Sequence, residues 1–138
     1  MTTINLKPRP VHPGVRFTLQ RQAIIEVLRS TTHHPDAQWV HEQVRRTLPR
    51  VSLATVYRNL DFLTRQGVIL QIATKDPAAR FDGNTRMHGH IACTHCSRID
   101  DVPLPRAVTE LRDLGPAGYR SVEVKLEFEG VCPECACS

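Results

Sequence analysis

Four cysteines fall into two pairs, Cys93-Thr-His-Cys96 and Cys132-Pro-Glu-Cys135, and that spacing constrains the chain more than any other feature. A Cys-x-x-Cys turn points two thiolates into one concavity, and two such turns complete a tetrahedral sulfur shell around zinc. Four sulfurs leave no open coordination position, so the site reads as structural. A redox dithiol would more naturally be a single pair beside a βαβ pattern. Disulfides are not expected either, because the chain reads as cytoplasmic. Its start, MTTINLKPRP, lacks the apolar core of a signal peptide, and no apolar run approaches the ~20 residues of a membrane span. Cys137 is left over, either a bystander or a substitute ligand when a neighbour is oxidised.

The front half has a different character. Residues 1–80 carry twelve Lys/Arg against five Asp/Glu, whereas residues 81–138 carry six against nine. A basic front half suits a polyanionic partner, although an ordinary solvated basic face has the same balance. Leu19, Ala23, Ile24, Val27 and Leu28 recur at helical spacing behind a Thr18 cap. A second helix starts at Asp36, lines up Ala37, Val40, Val44 and Leu48, and ends at Pro49. Ser52 caps a third, with Leu53, Val56, Leu60 and Leu63 as its stripe and Gly67 past its end. An apolar run from Val68 to Ile72, a KDPAA turn and a returning strand from Arg80-Phe81 follow. Three short helices and a hairpin make a winged helix-turn-helix.

The third helix would present Thr55, Arg58 and Asn59 outward, with Tyr57 alongside and Ser52 at its start. Arg16 and Arg21 lie at the beginning of the first helix. Arg58 can bind guanine edges, and Thr55 and Tyr57 can meet phosphates or thymine methyls. These residues, Asn59 aside, are the candidate DNA contacts, although such units also serve as protein-binding modules.

In the rear half Ile91-Ala92 and Ile99 to Val102 read as strands flanking the first cysteine pair. Arg106 to Leu114 reads as a helix stopped by Gly115-Pro116, and Val122 to Glu129 alternates as a half-buried strand does. The expected fold is α+β: a winged helix over 1–80, a hinge over 81–87, and a small α/β dimerisation domain with an antiparallel sheet over 88–138. With 41% hydrophobic and 5% aromatic residues the core must be aliphatic, and either half is small enough to want a metal or a partner subunit. The sheet's apolar face exceeds what one helix covers, so a two-fold homodimer completes it.

His88-Gly-His90 on a strand puts both imidazoles on one side. Asp82, Asp101, His33 and His34 are the further donors that could join them. Such a pair is often mere surface decoration, but a sulfur-free imidazole and carboxylate shell suits exchangeable Fe(II), Mn(II) or Zn(II). An enzyme is not expected. Zinc deaminases need His-x-Glu beside their cysteine pair, and here His90 stands where that glutamate would be. A zinc-stabilised protein-interaction module is the remaining alternative, and it predicts no salt-dependent DNA binding.

The segments LATVYRNL (53–60), HHPDA (33–37), RFD (80–82), HGHIACTHC (88–96) and GVCPEC (130–135) together resemble the ferric uptake regulator superfamily. The resemblance runs in order from about Gly14 to Cys135. It implies a homodimer with N-terminal winged helices that binds AT-rich inverted repeats when a regulatory metal bridges the hinge and domains. It places structural Zn(II) on Cys93, Cys96, Cys132 and Cys135, and the regulatory metal on His34, Asp82, His88, His90 and Asp101. Aspartate at both 82 and 101 is similar to the peroxide-sensing branch. There, bound Fe(II) reacts with peroxide and a ligand histidine is oxidised, His34 or His88 in this chain. The alternative is a Mn(II), Fe(II) or Zn(II) uptake regulator without peroxide sensing. Met87, Gly89, Val108 and Val124 stand where many iron regulators hold a further acidic and histidine site, so no third metal is expected. Ser97 replaces the usual glycine after the first knuckle, a change expected to be harmless.

Overall fold

The computed structural model describes residues 14–74, 77–110 and 127–137. These form two compact units whose boundary lies between Thr85 and Arg86. Among the described residues no helix is long and apolar enough to cross a membrane.

The first unit contains α1 (Leu19–Arg29), α2 (Ala37–Val44), α3 (Leu53–Arg65), β1 (Leu70–Ile72) and β2 (Arg80–Asp82). Each helix begins at a side-chain cap. Thr18 accepts from the Arg21 amide at 3.3 Å, Asp36 from Trp39 at 2.9 Å and Ser52 from Thr55 at 3.1 Å. Such a cap is worth about 1 kcal/mol, because it satisfies an amide the helix cannot. Helix α3 ends in a Schellman motif: Gly67 sits at φ 70°, its N–H donates to Thr64 O, and Val68 N–H donates to Leu63 O. Only glycine adopts that backbone without strain.

The core is aliphatic, as the composition requires. Ile24, Ile25 and Leu28 of α1 meet Ala37, Val40 and Val44 of α2 and Val56, Leu60 and Leu63 of α3, with Ile69 and Phe81 beneath. Leu19 departs from its expected place in the stripe. It is 76% exposed at the first position of α1, and Ile25 fills the core instead. Helix α2 also stops at Val44, leaving Leu48 half-buried in the following turn. The hairpin pairs Leu70 with Asp82, Gln71 with Phe81 and Ile72 with Arg80, antiparallel.

The second unit contains β3 (Gly89–Cys93), β4 (Ile99–Val102), α4 (Arg106–Glu110), β5 (Phe128–Gly130) and α5 (Pro133–Ala136). Strands β3 and β4 form the antiparallel pair read from the sequence. Strand β5 joins the other edge of β3 in parallel, so the described sheet, ordered β4-β3-β5, is mixed. Helix α4 is the start of the helix expected from Arg106 to Leu114; its remainder, the Gly115-Pro116 stop and the alternating segment from Val122 to Leu126, Val124 included, lie outside the described residues.

Gly83 follows β2 where the chain passes the end of α1. A Cβ there would stand 3.0 Å from the Leu28 carbonyl carbon and 3.1 Å from the Arg29 amide nitrogen, both backbone atoms that cannot swing aside. Gly83→Ala is therefore expected to lower stability by about 1–3 kcal/mol, the usual cost of overpacking. Denaturant unfolding followed by Trp39 emission measures this; an unchanged midpoint would show that α1 gives way freely.

Candidate metal centres

Parallel pairing of β3 with β5 sets Cys93 opposite Gly130, and the Thr94 amide donates to Gly130 O at 2.8 Å. That register carries the second cysteine pair to the first. All four thiols, Cys93, Cys96, Cys132 and Cys135, have sulfurs within 4.8 Å of one another. The Cys96–Cys132 separation is 3.7 Å. Tetrahedral zinc with bonds of about 2.3 Å requires sulfurs ~3.8 Å apart, so the cluster fits zinc. Cys137 is exposed beyond α5 and is not one of these four sulfurs.

Electrostatics points the same way. The backbone amides of Cys132 and His95 donate to Cys93 Sγ at 3.3 and 3.4 Å. Led by the Cys132 amide, such bonds draw the Cys93 thiol down to about 6. Hydrogen bonding with Cys132 and then Cys96 pushes the Cys135 thiol up to about 12. One negative charge is welcomed and further ones are resisted. A bound dication is what lets four thiolates coexist at neutral pH.

Two features of this centre go beyond the sequence reading. Ser97, expected to be harmless, lies at φ 61° and donates its amide to Cys93 O. The knuckle needs a left-handed residue there, and serine costs about 1 kcal/mol more than glycine. Arg98 spans the two knuckles, with Nε on Asp100 and Nη1 on Glu134 Oε1 at 3.0 Å. Its partners are exposed or half-exposed, so this tie is worth at most ~1 kcal/mol.

The sulfur-free donors occur in two groups, one in each unit. In the first unit His34 Nδ1 lies 3.8 Å from Asp82 Oδ2, both side chains buried. Strand β2 places them. Arg80 Nη1 donates to His34 O at 3.0 Å, Phe81 N–H donates to Pro35 O at 2.9 Å, and Asp82 Oδ1 accepts the Asn84 amide at 2.8 Å. His33 is exposed.

In the second unit His90 sits directly across the β3–β4 ladder from Asp101, and His88 is two residues back on the same face. His88 Nε2 and His90 Nε2 are 3.0 Å apart, and they stand 3.2 and 3.5 Å from Asp101 Oδ1. Donors about 2.1 Å from one cation are separated by roughly 3.0 Å in octahedral and 3.4 Å in tetrahedral geometry, so the three suit a common ion. His88 Nδ1 donates to Arg86 O at 2.6 Å. In the neutral ring this leaves Nε2 with its lone pair for a metal, the usual outer support of a histidine ligand.

On α3 the outer face carries a hydroxyl and guanidinium chain. Ser52 Oγ donates to Thr55 Oγ1 at 2.9 Å, and Arg58 Nη2 donates to the same oxygen at 3.2 Å. Tyr57 and Arg16 are exposed. Asn59 corrects the sequence reading, being buried instead of outward. It stands three residues after Val56 and four before Leu63, which is inner-face spacing; its polarity concealed that.

The family model for the ferric uptake regulator family matches residues 12–129. The chain belongs to the ferric uptake regulator family. A peroxide-responsive repressor PerR from Staphylococcus aureus is 36% identical over 124 residues, covering 88% of this chain and 83% of that relative. The solved Helicobacter pylori ferric uptake regulator superposes with TM-score 0.74 at 22% identity, covering 89% of this chain and 83% of that one. A Campylobacter jejuni peroxide stress regulator gives TM-score 0.66 at 26% identity, covering 84% and 88%. The family fold is α+β, a winged helix followed by a small mixed domain, and this chain has it.

Two outcomes follow for the thiol centre. Ser97→Gly should raise the unfolding free energy of the zinc-loaded protein by about 1 kcal/mol, since it removes left-handed strain; a lower melting temperature would contradict this. Zinc affinity should climb as pH rises from about 6 to about 8, because the high-lying Cys135 proton competes with the metal. Chelator competition across that range measures it, and a flat profile would reject the thiol assignment.

Proposed function

We propose that this metal-responsive repressor of the ferric uptake regulator family divides two metals between two duties. Structural Zn(II) on Cys93, Cys96, Cys132 and Cys135 fastens the dimerisation domain, 88–138. Regulatory Fe(II) or Mn(II), with Zn(II) as a further candidate, is held by His34, Asp82, His88, His90 and Asp101. It ties the winged helix, 1–80, across the hinge, 81–87. The observation that carries this reading is the splitting of the sulfur-free donors between the two units. Two donors in one unit and three in the other are each a weak shell, and five together make a strong one. A ligand that draws on both favours the arrangement in which both reach it.

In a homodimer that arrangement sets two copies of α3 for the half-sites of an AT-rich inverted repeat in the cytoplasm. In this reading Arg16, Ser52, Thr55, Tyr57 and Arg58 meet the DNA, whereas Arg21, the sixth candidate, is engaged within its own unit. The aspartates at 82 and 101, together with the likeness to a peroxide-responsive repressor, favour peroxide sensing over plain metal-uptake control. Fe(II) held by these residues would supply the reactivity toward peroxide, and the ring of His34 or His88 would gain one peroxide oxygen at a C–H position while the other oxygen leaves as water. The sulfur-free donor set also suits Mn(II) sensing without that chemistry, which is the second reading.

His34→Ala should give a folded, zinc-containing dimer whose DNA affinity no longer rises with Mn(II) or Fe(II). Cys96→Ser should instead lose zinc and dissociate or unfold. A metal-responsive dimer from Cys96→Ser would refute the division of duties. Mass spectrometry of Fe(II)-loaded protein after mild peroxide should find one added oxygen on His34 or His88. Unmodified histidines with retained DNA binding would leave the uptake-regulator reading standing. Affinity should also fall steeply with salt, as phosphate contacts demand.

A further inference from the structure

Arg21 stands at the start of α1 among residues suited to DNA, yet its side chain is engaged inside its own unit. Nε donates to Asn59 Oδ1 at 3.1 Å, Nη1 donates to Arg16 O at 2.7 Å, and the guanidinium lies 3.7 Å from the centroid of the Phe62 ring. Asn59 is itself fixed: it is buried, and its Nδ2 donates to Thr55 O at 2.9 Å. An unbroken relay therefore runs from the Thr55 carbonyl in α3, through Asn59 and Arg21, to the backbone of Arg16 ahead of α1.

We propose that Arg21 is a positioning residue that locks the Arg16 segment to α3, setting the two reading elements in one register, and is not itself a DNA contact. This rests on the DNA-binding reading above. The planar fork is what the task needs. Nε and Nη1 diverge in one plane toward two acceptors while the face stacks on Phe62, whereas a lysine ammonium offers a point charge with neither the span nor the face. Exposed Arg16 and the outer face of α3 meet different parts of the duplex. Discrimination then depends on holding both in place, because a misplaced contact to one part weakens the other.

The test uses the full-length chain loaded with zinc and Mn(II), and the duplex that wild-type protein selects from a random-sequence pool. Affinity for that duplex and for a scrambled one is measured across a salt series. Arg21→Ala is expected to leave the salt slope unchanged, whereas loss of a phosphate contact would reduce it by about 0.9. Arg21→Lys and Asn59→Ala are each expected to lose about tenfold in preference for the selected duplex, the scale of one base contact. Their combination should lose no more than either alone, as residues in one relay do. Should these variants prove unstable in thermal melting, Phe62→Leu keeps the apolar bulk, removes only the stacking face, and is expected to lower preference with an unchanged slope. A reduced slope in Arg21→Ala, or full preference in Arg21→Lys, would overturn the proposal. Wild-type protein that selects no duplex would overturn the DNA reading, and this inference with it.

Discussion

Strand β3 pairs with β4 on one edge and β5 on the other, and the second unit's chemistry depends on those two ladders. At one end they set His90 opposite Asp101; at the other they set Cys93 opposite Gly130. The two ends are three residues apart, about 10 Å along an extended chain. Because side chains alternate along a strand, a slip of one residue would turn His88 and His90 away from Asp101 and carry Cys93 out of the thiol cluster together. A short sheet of three- to five-residue strands has little ladder of its own to resist such a slip. On the proposed zinc assignment, metal on the four thiolates joins the turn after β3 to the turn after β5, and so pins the register that the histidines need.

How far this was legible in the residues follows from the range of each interaction. Caps at Thr18, Asp36 and Ser52 and the glycine stop at Gly67 are local rules, and they lie where the sequence puts them. Periodicity also identified most of the core stripes, but Leu19 and Leu53, each the first residue of its helix, are exposed. The Cys-x-x-Cys pairs declared themselves because ligand type and spacing are both local. Long-range polar ties did not. Arg21 and Asn59 are 38 residues apart, and Arg98 and Glu134 are 36 apart. Nothing in either local pattern announces its partner. Asn59 shows the hazard most plainly, since residue type said outward and spacing said inward, and spacing was right. His34 is a different case. Only the family resemblance singled it out from His33, and burial beside Asp82 now separates the two.

The two donor sets also differ in how readily they can let a metal go. A closed thiolate shell offers an incoming ligand no vacant position, and releasing the ion returns several charges to sulfurs that resist sharing them. Imidazole and carboxylate donors hold the ion without that electrostatic debt, so exchange is compatible with neutral pH. On the proposed hinge reading, moving an equilibrium from 1:99 to 99:1 takes about a 10⁴-fold preference of the ion for one arrangement. His34 and Asp82 must supply that preference, because the donors on β3 and β4 are present whatever the first unit does. It follows that chemical damage at His34 and at His88 are not equivalent. Loss of His34 removes a link between the units while three donors remain on the second, so the switch uncouples before the ion departs. Loss of His88 weakens the ion's hold on the second unit, so the switch fails through metal release. On the peroxide-sensing reading, the choice of oxidised histidine therefore decides whether derepression precedes metal loss or waits for it.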